Sequence, residues 1–346
     1  MLAPDELLDS SLSDLGMDIS SSTGYLTEGP SGPFSPYKEE GYTGETDYRI
    51  RQLSYSSLLT LHSCPRKFQL DKLRAQGTSE TLKSTITFSY GHVVGEGIAL
   101  ALANVPFREI LWKLFLSWHT PSLFDSDDAL NKSFFGAIIA VQKFLHLRET
   151  VLADYELVYH DGKPATELSF SIALPNGFRL RGFVDAVLRN KTTGAVVVLE
   201  CKTTGIAAVE PAQYKNSSQA IGYSIVLDHL FPELSSYEVL YLVYATKATE
   251  YHLLPFPKTY LQRAIWIREL LLDVDVIQMY EAAGIYPMRG ESCYSFRREC
   301  KYFNTCSLST EALAKPMTAD MVDETQYQVQ ITLADLLETQ LRKVSA

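Results

Sequence analysis

Apolar residues recur along this chain with two different periods, and the change of period divides it. From Ser54 the spacing is helical: SYSSLLTLHSCPRKFQLDKL opens on capping residues and keeps Leu58, Leu61 and Phe68 on one side, predicting a helix that continues past Pro65. A second helix is predicted from near Gly91 through Leu102, and residues 106–119 and 127–149 read as further amphipathic helices. The period then shortens. Strands are predicted near 165–174, 178–189 and 195–202, then a helix at 211–230, a strand at 237–246 and a long helix at 257–283. Helices flanking a small mixed sheet make the expected fold α/β, with no internal repeat.

The two central strands form a hairpin. Phe178–Leu188 is apolar and β-branched, Asn190-Lys191-Thr192-Thr193-Gly194 is turn chemistry, and Ala195–Leu199 is an unbroken apolar run. A loop centred on Thr192 and Thr193 makes paired residue numbers sum to 385, which sets Asp185 opposite Glu200. Side chains alternate along a strand, so Glu200 and Lys202 share a face and Cys201 packs on the other. Two carboxylates within one cation's reach suit Mg²⁺ or Mn²⁺, which takes oxygen ligands and keeps several waters. An ammonium beside them, Lys202, suits orienting a water and offsetting charge on a phosphate. The plainer alternative is a solvated ion pair at a strand end. The chain holds a second Glu-x-Lys, Glu299-Cys300-Lys301, but no apolar strand precedes it and no hairpin Asp stands upstream.

Charge changes the picture once it is located. The net charge is −10 over 346 residues. Residues 1–48 hold ten acids and one Lys, and residues 310–346 hold six acids and three bases, so the body between them has 27 bases and 25 acids. A slightly basic body is compatible with a phosphate-binding groove. Residues 16–48 are rich in Ser, Gly, Pro, Thr and acids and are expected to be disordered in isolation. Leu8, Leu12, Leu15 and Ile19 recur at helical spacing, as in a short helix that docks on a replication or recombination partner or on the protein's own groove; a solvated tail without a role is the alternative. The expected organisation is an acidic tail at 1–48, a catalytic body at 49–309 with a helical insertion at about 104–150 and a Cys segment at 293–306, and a C-terminal extension at 310–346. An acidic start and no apolar run of membrane-spanning length lead to the expectation of a cytoplasmic protein with no membrane.

Three of the five cysteines, Cys293, Cys300 and Cys306, cluster late in the chain, and Cys64 lies in the first helix. In an intracellular enzyme such a group is more often metal-binding than disulfide-forming. Zinc on four thiolates is physically admissible, as is simple packing. A shared centre would gather Arg66 and Lys67 with Arg297, Arg298 and Lys301 into a phosphate-tracking patch. Tyr294, Phe296, Tyr302 and Phe303 would stack on unpaired bases or pack around the centre.

Taken in order, SYSSLLTLHSCPRKFQL, YGHVVGEGI, GFVDAVL, VLECKTT, SSQAIGYSIVLD and the Cys cluster resemble the PD-(D/E)XK nuclease superfamily. The closer resemblance is to its RecB-like exonuclease group, which includes iron–sulfur nucleases and related phage proteins. The resemblance spans most of residues 54–306 and implies a restriction-endonuclease-like core. It assigns Asp185, Glu200 and Lys202 to metal binding and water activation, and Gln219 and Tyr223, which share a helix face, to supporting the site. Many members place a His four residues after a Gly in the early helix; counted from Gly91, that place is Gly95. His92 and Glu96 flank it and lie four apart, so either could face the metal, with Glu96 preferred over His92 and over an ordinary surface role. The same resemblance implies a [4Fe–4S] cluster on Cys64, Cys293, Cys300 and Cys306, with zinc second. Here Arg297 stands where a cysteine usually precedes Cys300. The implied function is a metal-dependent DNA exonuclease acting on single-stranded DNA or ends in recombination or repair. The alternative is a non-catalytic DNA-end-binding or scaffold module.

Overall fold

A computed structural model of the chain describes residues 46–76, 86–118, 131–206, 208–234, 237–295, 298–315 and 327–341. The acidic tail and its leucine-spaced segment lie outside these residues, apart from the tail's last few positions.

Helix α1 (Tyr55–Ser63) opens on a reciprocal cap: Ser54 Oγ accepts from the Ser57 amide, and the Ser54 amide donates to Ser57 Oγ. The single helix expected here is two. Cys64, which precedes a proline, takes extended angles (φ −159°, ψ 102°), and Pro65 starts α2 (Pro65–Lys72) at the position where a missing N–H costs nothing. Helices α3 (Ile86–Leu102), α4 (Phe107–Ser117) and α5 (Phe134–Thr150) follow.

One sheet of eight strands organises the rest. Strand β1 (Gln52–Leu53) precedes α1, and β2 (Tyr155–Leu157), β3 (Thr166–Ala173), β4 (Arg179–Asn190) and β5 (Val196–Thr204) follow α5. After α6 (Ser218–Leu230) come β6 (Tyr237–Ala245), β7 (Glu250–Lys258), the long α7 (Tyr260–Ala283), β8 (Val329–Ile331) and α8 (Leu333–Leu341). The order is β8-β3-β4-β5-β6-β7, with β1 and β2 also paired to β4. The β5–β6 pair is parallel and its neighbours are antiparallel, which makes the sheet mixed.

Both faces of the sheet are covered. Leu168, Phe170, Val198, Tyr241 and Val243 pack under α1, α6 and α7, while Leu188, Val197, Leu199, Leu240 and Leu242 pack under α3, α4 and α5. This is the mixed α/β architecture expected of a restriction-endonuclease-like core. Beyond residue 309 the chain rejoins it, since β8 pairs in parallel with β3 at the sheet edge and α8 seats Leu336 in the core.

Candidate active site

The hairpin forms in the register expected from its loop: Ala186 faces Leu199, Val187 faces Val198, Leu188 faces Val197 and Arg189 faces Val196. The ladder stops at Ala186. Beyond it Asp185 Oδ2 accepts from the Cys201 amide at 2.7 Å, so a carboxylate takes the place of the next ladder bond.

The other flank of β4 is irregular at the same point. Thr166 pairs with Ala186 and Leu168 with Val184, but Glu167 and Asp185 between them do not pair, and Glu167 has φ +47°, rare for a residue with a side chain. Val184 packs under one face of the sheet and Ala186 under the other, where strict alternation would place both on one side. An interruption of this kind redirects side chains, and here it falls on the two acids.

Glu200 and Lys202 extend from the same face of β5. Glu200 is only 1% exposed, and Lys202 Nζ lies 2.5 Å from its Oε1. Lys202 also donates to Gln219 Oε1 at 3.0 Å, Gln219 Nε2 donates to the Tyr223 hydroxyl at 2.6 Å, and that hydroxyl donates to the Phe183 carbonyl at 2.7 Å. The one-turn spacing of Gln219 and Tyr223 on α6 makes this relay possible. It ties the ammonium to the backbone of β4 and so limits its freedom.

Burial and crowding set the electrostatics. Burial, reinforced by the charge of Asp185, pushes the Glu200 carboxyl up to about 8 against the opposing pull of Lys202. Burial also raises Asp185, against the Cys201 amide and Lys202. For Lys202, burial alone would lower the ammonium, but Glu200 beside it prevails and holds it above its ordinary value. Glu167, absent from the sequence expectations, is pushed to about 7 by burial and then by Asp185 and Glu96. A cleft between α3 and the sheet collects Gly91, His92, Gly95, Glu167, Asp185 and Lys202 along its walls.

Residues 52–307 match the sequence profile of the PD-(D/E)XK nuclease superfamily. The chain belongs to that superfamily. No curated protein matches it. Among solved structures, it is similar to a candidate exonuclease from Eubacterium rectale (12% identity, 80% of this chain and 94% of that one, TM-score 0.44). It is also similar to the protein SSO0001 (12% identity, 69% and 77% coverage, TM-score 0.25).

Nucleases of this superfamily generally use Mg²⁺ or Mn²⁺. Among the described residues, no group of three or more His, Cys, Asp or Glu side chains is arranged to hold a metal ion by itself. The donor set nonetheless fits a hard cation: Glu200 Oε2 and Glu96 Oε2 are buried without hydrogen-bond partners. His92, on the early helix, is exposed at the cleft rim with its ring stacked parallel to Phe88. Glu96 does not line the cleft but acts on Glu167 electrostatically.

The nuclease's cysteine region corrects one expectation. Arg66 is 6% exposed, and its guanidinium donates to the carbonyls of Cys306 (3.1 Å) and Leu308 (2.6 Å), to Gln69 Oε1 (2.6 Å) and to Thr310 Oγ1 (2.9 Å). Sequestered in this way, it clamps the C-terminal segment onto α2 and cannot track a phosphate. Tyr302 is likewise buried and donates to Asp71, which Lys301 also pairs with at 2.5 Å. The second Glu-x-Lys therefore lies in a small ribbon and turn away from the central sheet. Lys67 is half-buried; Arg297 and Phe296 lie outside the described residues, as does the Arg298 side chain, although the Arg298 backbone pairs in the ribbon. Tyr294 and Phe303 are exposed. The Cys306 thiol is raised by burial, lowered by Arg66 and raised again by Cys64, Cys300 and Cys293, which places the three other thiols within its electrostatic reach.

Proposed function

We propose that this nuclease is a divalent-cation-dependent DNA exonuclease of the RecB-like group, acting on single-stranded DNA or ends in recombination or repair, in a phage-type setting. One observation carries the reading. An ammonium, Lys202, is clamped between a buried carboxylate and a relayed amide on the wall of a cleft that also holds Asp185. A bare surface ion pair would need neither the burial nor the relay.

In this reading Asp185 and Glu200 hold Mg²⁺ or Mn²⁺, with Glu96 and His92 as further donors toward it. The cation supplies Lewis acidity and lowers the proton affinity of a bound water. Lys202, whose side chain keeps 39% of its surface open, orients the attacking water and offsets charge on the phosphate. Gln219 and Tyr223 fix where Lys202 points. Lys67, Arg297 and Arg298 contact the DNA backbone, and Tyr294 and Phe303 offer stacking faces for unpaired bases. Cys64, Cys293, Cys300 and Cys306 hold a [4Fe–4S] cluster, or zinc in its place, that pins the α1–α2 junction to the C-terminal segment. The acidic tail recruits a replication or recombination protein.

End-labelled single- and double-stranded DNA, incubated with Mg²⁺, Mn²⁺ or chelator, tests the catalytic reading. Metal-dependent degradation that disappears in Lys202→Ala supports it, and DNA binding without degradation by either protein refutes it. A brown colour with broad visible absorption, lost in Cys64→Ser and Cys300→Ser, is expected of the cluster. Full colour in either variant would overturn its ligand assignment.

A further inference from the structure

Asp185 and Lys202 line one cleft together with Gly91, His92 and Gly95 of the early helix. Gly95 lines the cleft, and a side chain starting there would meet nothing within 4 Å. Glu167 stands in the interrupted stretch of β3 beside them. It is the ladder neighbour of Asp185 across the interrupted pair, it lines the same cleft, and no hydrogen bond or ion pair engages its carboxylate among the described residues.

We propose that Glu167 is an additional protein carboxylate facing the cation, presented by the irregular β3–β4 ladder and reaching the ion through one of its coordinated waters. The inference rests on the metal-dependent reading above. The carboxylates are mutual neighbours: Glu167 feels Asp185 and Glu96, and Glu200 feels Asp185 and Glu167. Glu200, almost wholly buried, presents an oxygen with no hydrogen-bond partner, which marks the cluster as a place for a positive ligand rather than a solvated acidic face. Mg²⁺ and Mn²⁺ keep several waters, so an outer-sphere carboxylate is compatible with there being no three directly converging donors among the described residues. Its left-handed φ agrees with this role, because such strain persists where the surrounding structure imposes it, often at functional sites. Glu167 is thus a positioning residue for the metal's water.

The test is Mn²⁺ affinity, read from the free-ion electron paramagnetic resonance signal during titration of the whole, metal-stripped protein. Glu167→Gln is expected to weaken binding roughly 10- to 100-fold, the usual effect of losing an outer-shell partner. Glu167→Asp, which keeps the charge, should recover most of that loss, and Asp161→Asn, an exposed acid in a distant turn, should change nothing. Circular dichroism would establish that each variant folds, with Glu167→Ser, a second uncharged replacement read in the same way, deciding the matter if the Gln variant does not. Wild-type affinity in Glu167→Gln, or equal loss in Asp161→Asn, overturns the proposal while leaving the metal-dependent reading standing. No Mn²⁺ binding by the wild-type protein overturns both.

Discussion

Replacing Glu200 by Gln should make the metal-free protein more stable above neutral pH. The Glu200 carboxyl ionises near 8 in the fold against an ordinary value of 4.5, chiefly because it is buried. At about 1.36 kcal/mol per pKa unit, ionising it within the folded protein costs about 5 kcal/mol more than in the unfolded chain. The sign follows from proton counting. Below pH 4.5 both states carry the proton and there is no penalty; between 4.5 and about 8 the folded state holds more protons, so stability falls as pH rises; above 8 the full penalty is present. A glutamine removes it. Set against this, a neutral amide must be buried for about 1 kcal/mol, the attraction of Lys202 being already contained in the raised value. The net gain at pH 9 should be about 4 kcal/mol. Urea denaturation followed by circular dichroism in chelator at pH 4, 7 and 9 measures it. A difference between variant and wild type that stays flat across that range would refute the reasoning. Mn²⁺ at 100 times its Kd should narrow the gap, adding about 2.7 kcal/mol to the wild type and little to the variant.

Three further outcomes are expected. Arg66→Ala removes a buried guanidinium with four acceptors and should cost about 3–5 kcal/mol in urea unfolding; a loss under 1 kcal/mol accompanied by weaker DNA binding would return Arg66 to a phosphate-contacting role. Tyr223→Phe breaks the relay between Gln219 and the Phe183 carbonyl, so nuclease kcat should fall about 10- to 100-fold with the fold retained, and unchanged kcat would detach the relay from catalysis. Gly222→Ala places a methyl 1.8 Å from the Tyr55 hydroxyl and 2.8 Å from Trp266, which should lower stability by about 1–3 kcal/mol; Tyr55→Phe should recover part of the loss, and equal stability of wild type and Gly222→Ala would show that the helices part freely.

The hairpin at the centre was legible because its information is local. Turn residues at 190–194 set the register, and the register brings Asp185 and the Glu200–Lys202 pair to the same end of two strands. Gln219 and Tyr223 were found only through the family resemblance, since nothing local distinguishes them from surface and core residues of an ordinary helix. Strand β7 is absent from the sequence expectations; its Pro255 and Pro257 run against strand pattern, yet it is the sheet's edge, where one side needs no donors. Pro65 was read as tolerated within a helix, and the extended backbone it favours at Cys64 split that helix in two.

Glu167 and Arg66 show where local pattern ends. Nothing in TELSFSIA marks its Glu as other than a polar residue on an alternating strand, and Arg66 in a PRKF segment looks like any surface base. Hydrophobic period and turn chemistry act between residues a few positions apart, so the sequence alone determined most of the elements, the hairpin register and the approach of Asp185 to the Glu200–Lys202 pair. Burial and cross-strand contact act between residues tens to hundreds of positions apart. Only the tertiary structure could therefore turn Glu167 toward Asp185, enclose Arg66 among the carbonyls of the C-terminal segment, and bury Glu200 deeply enough to change its charge.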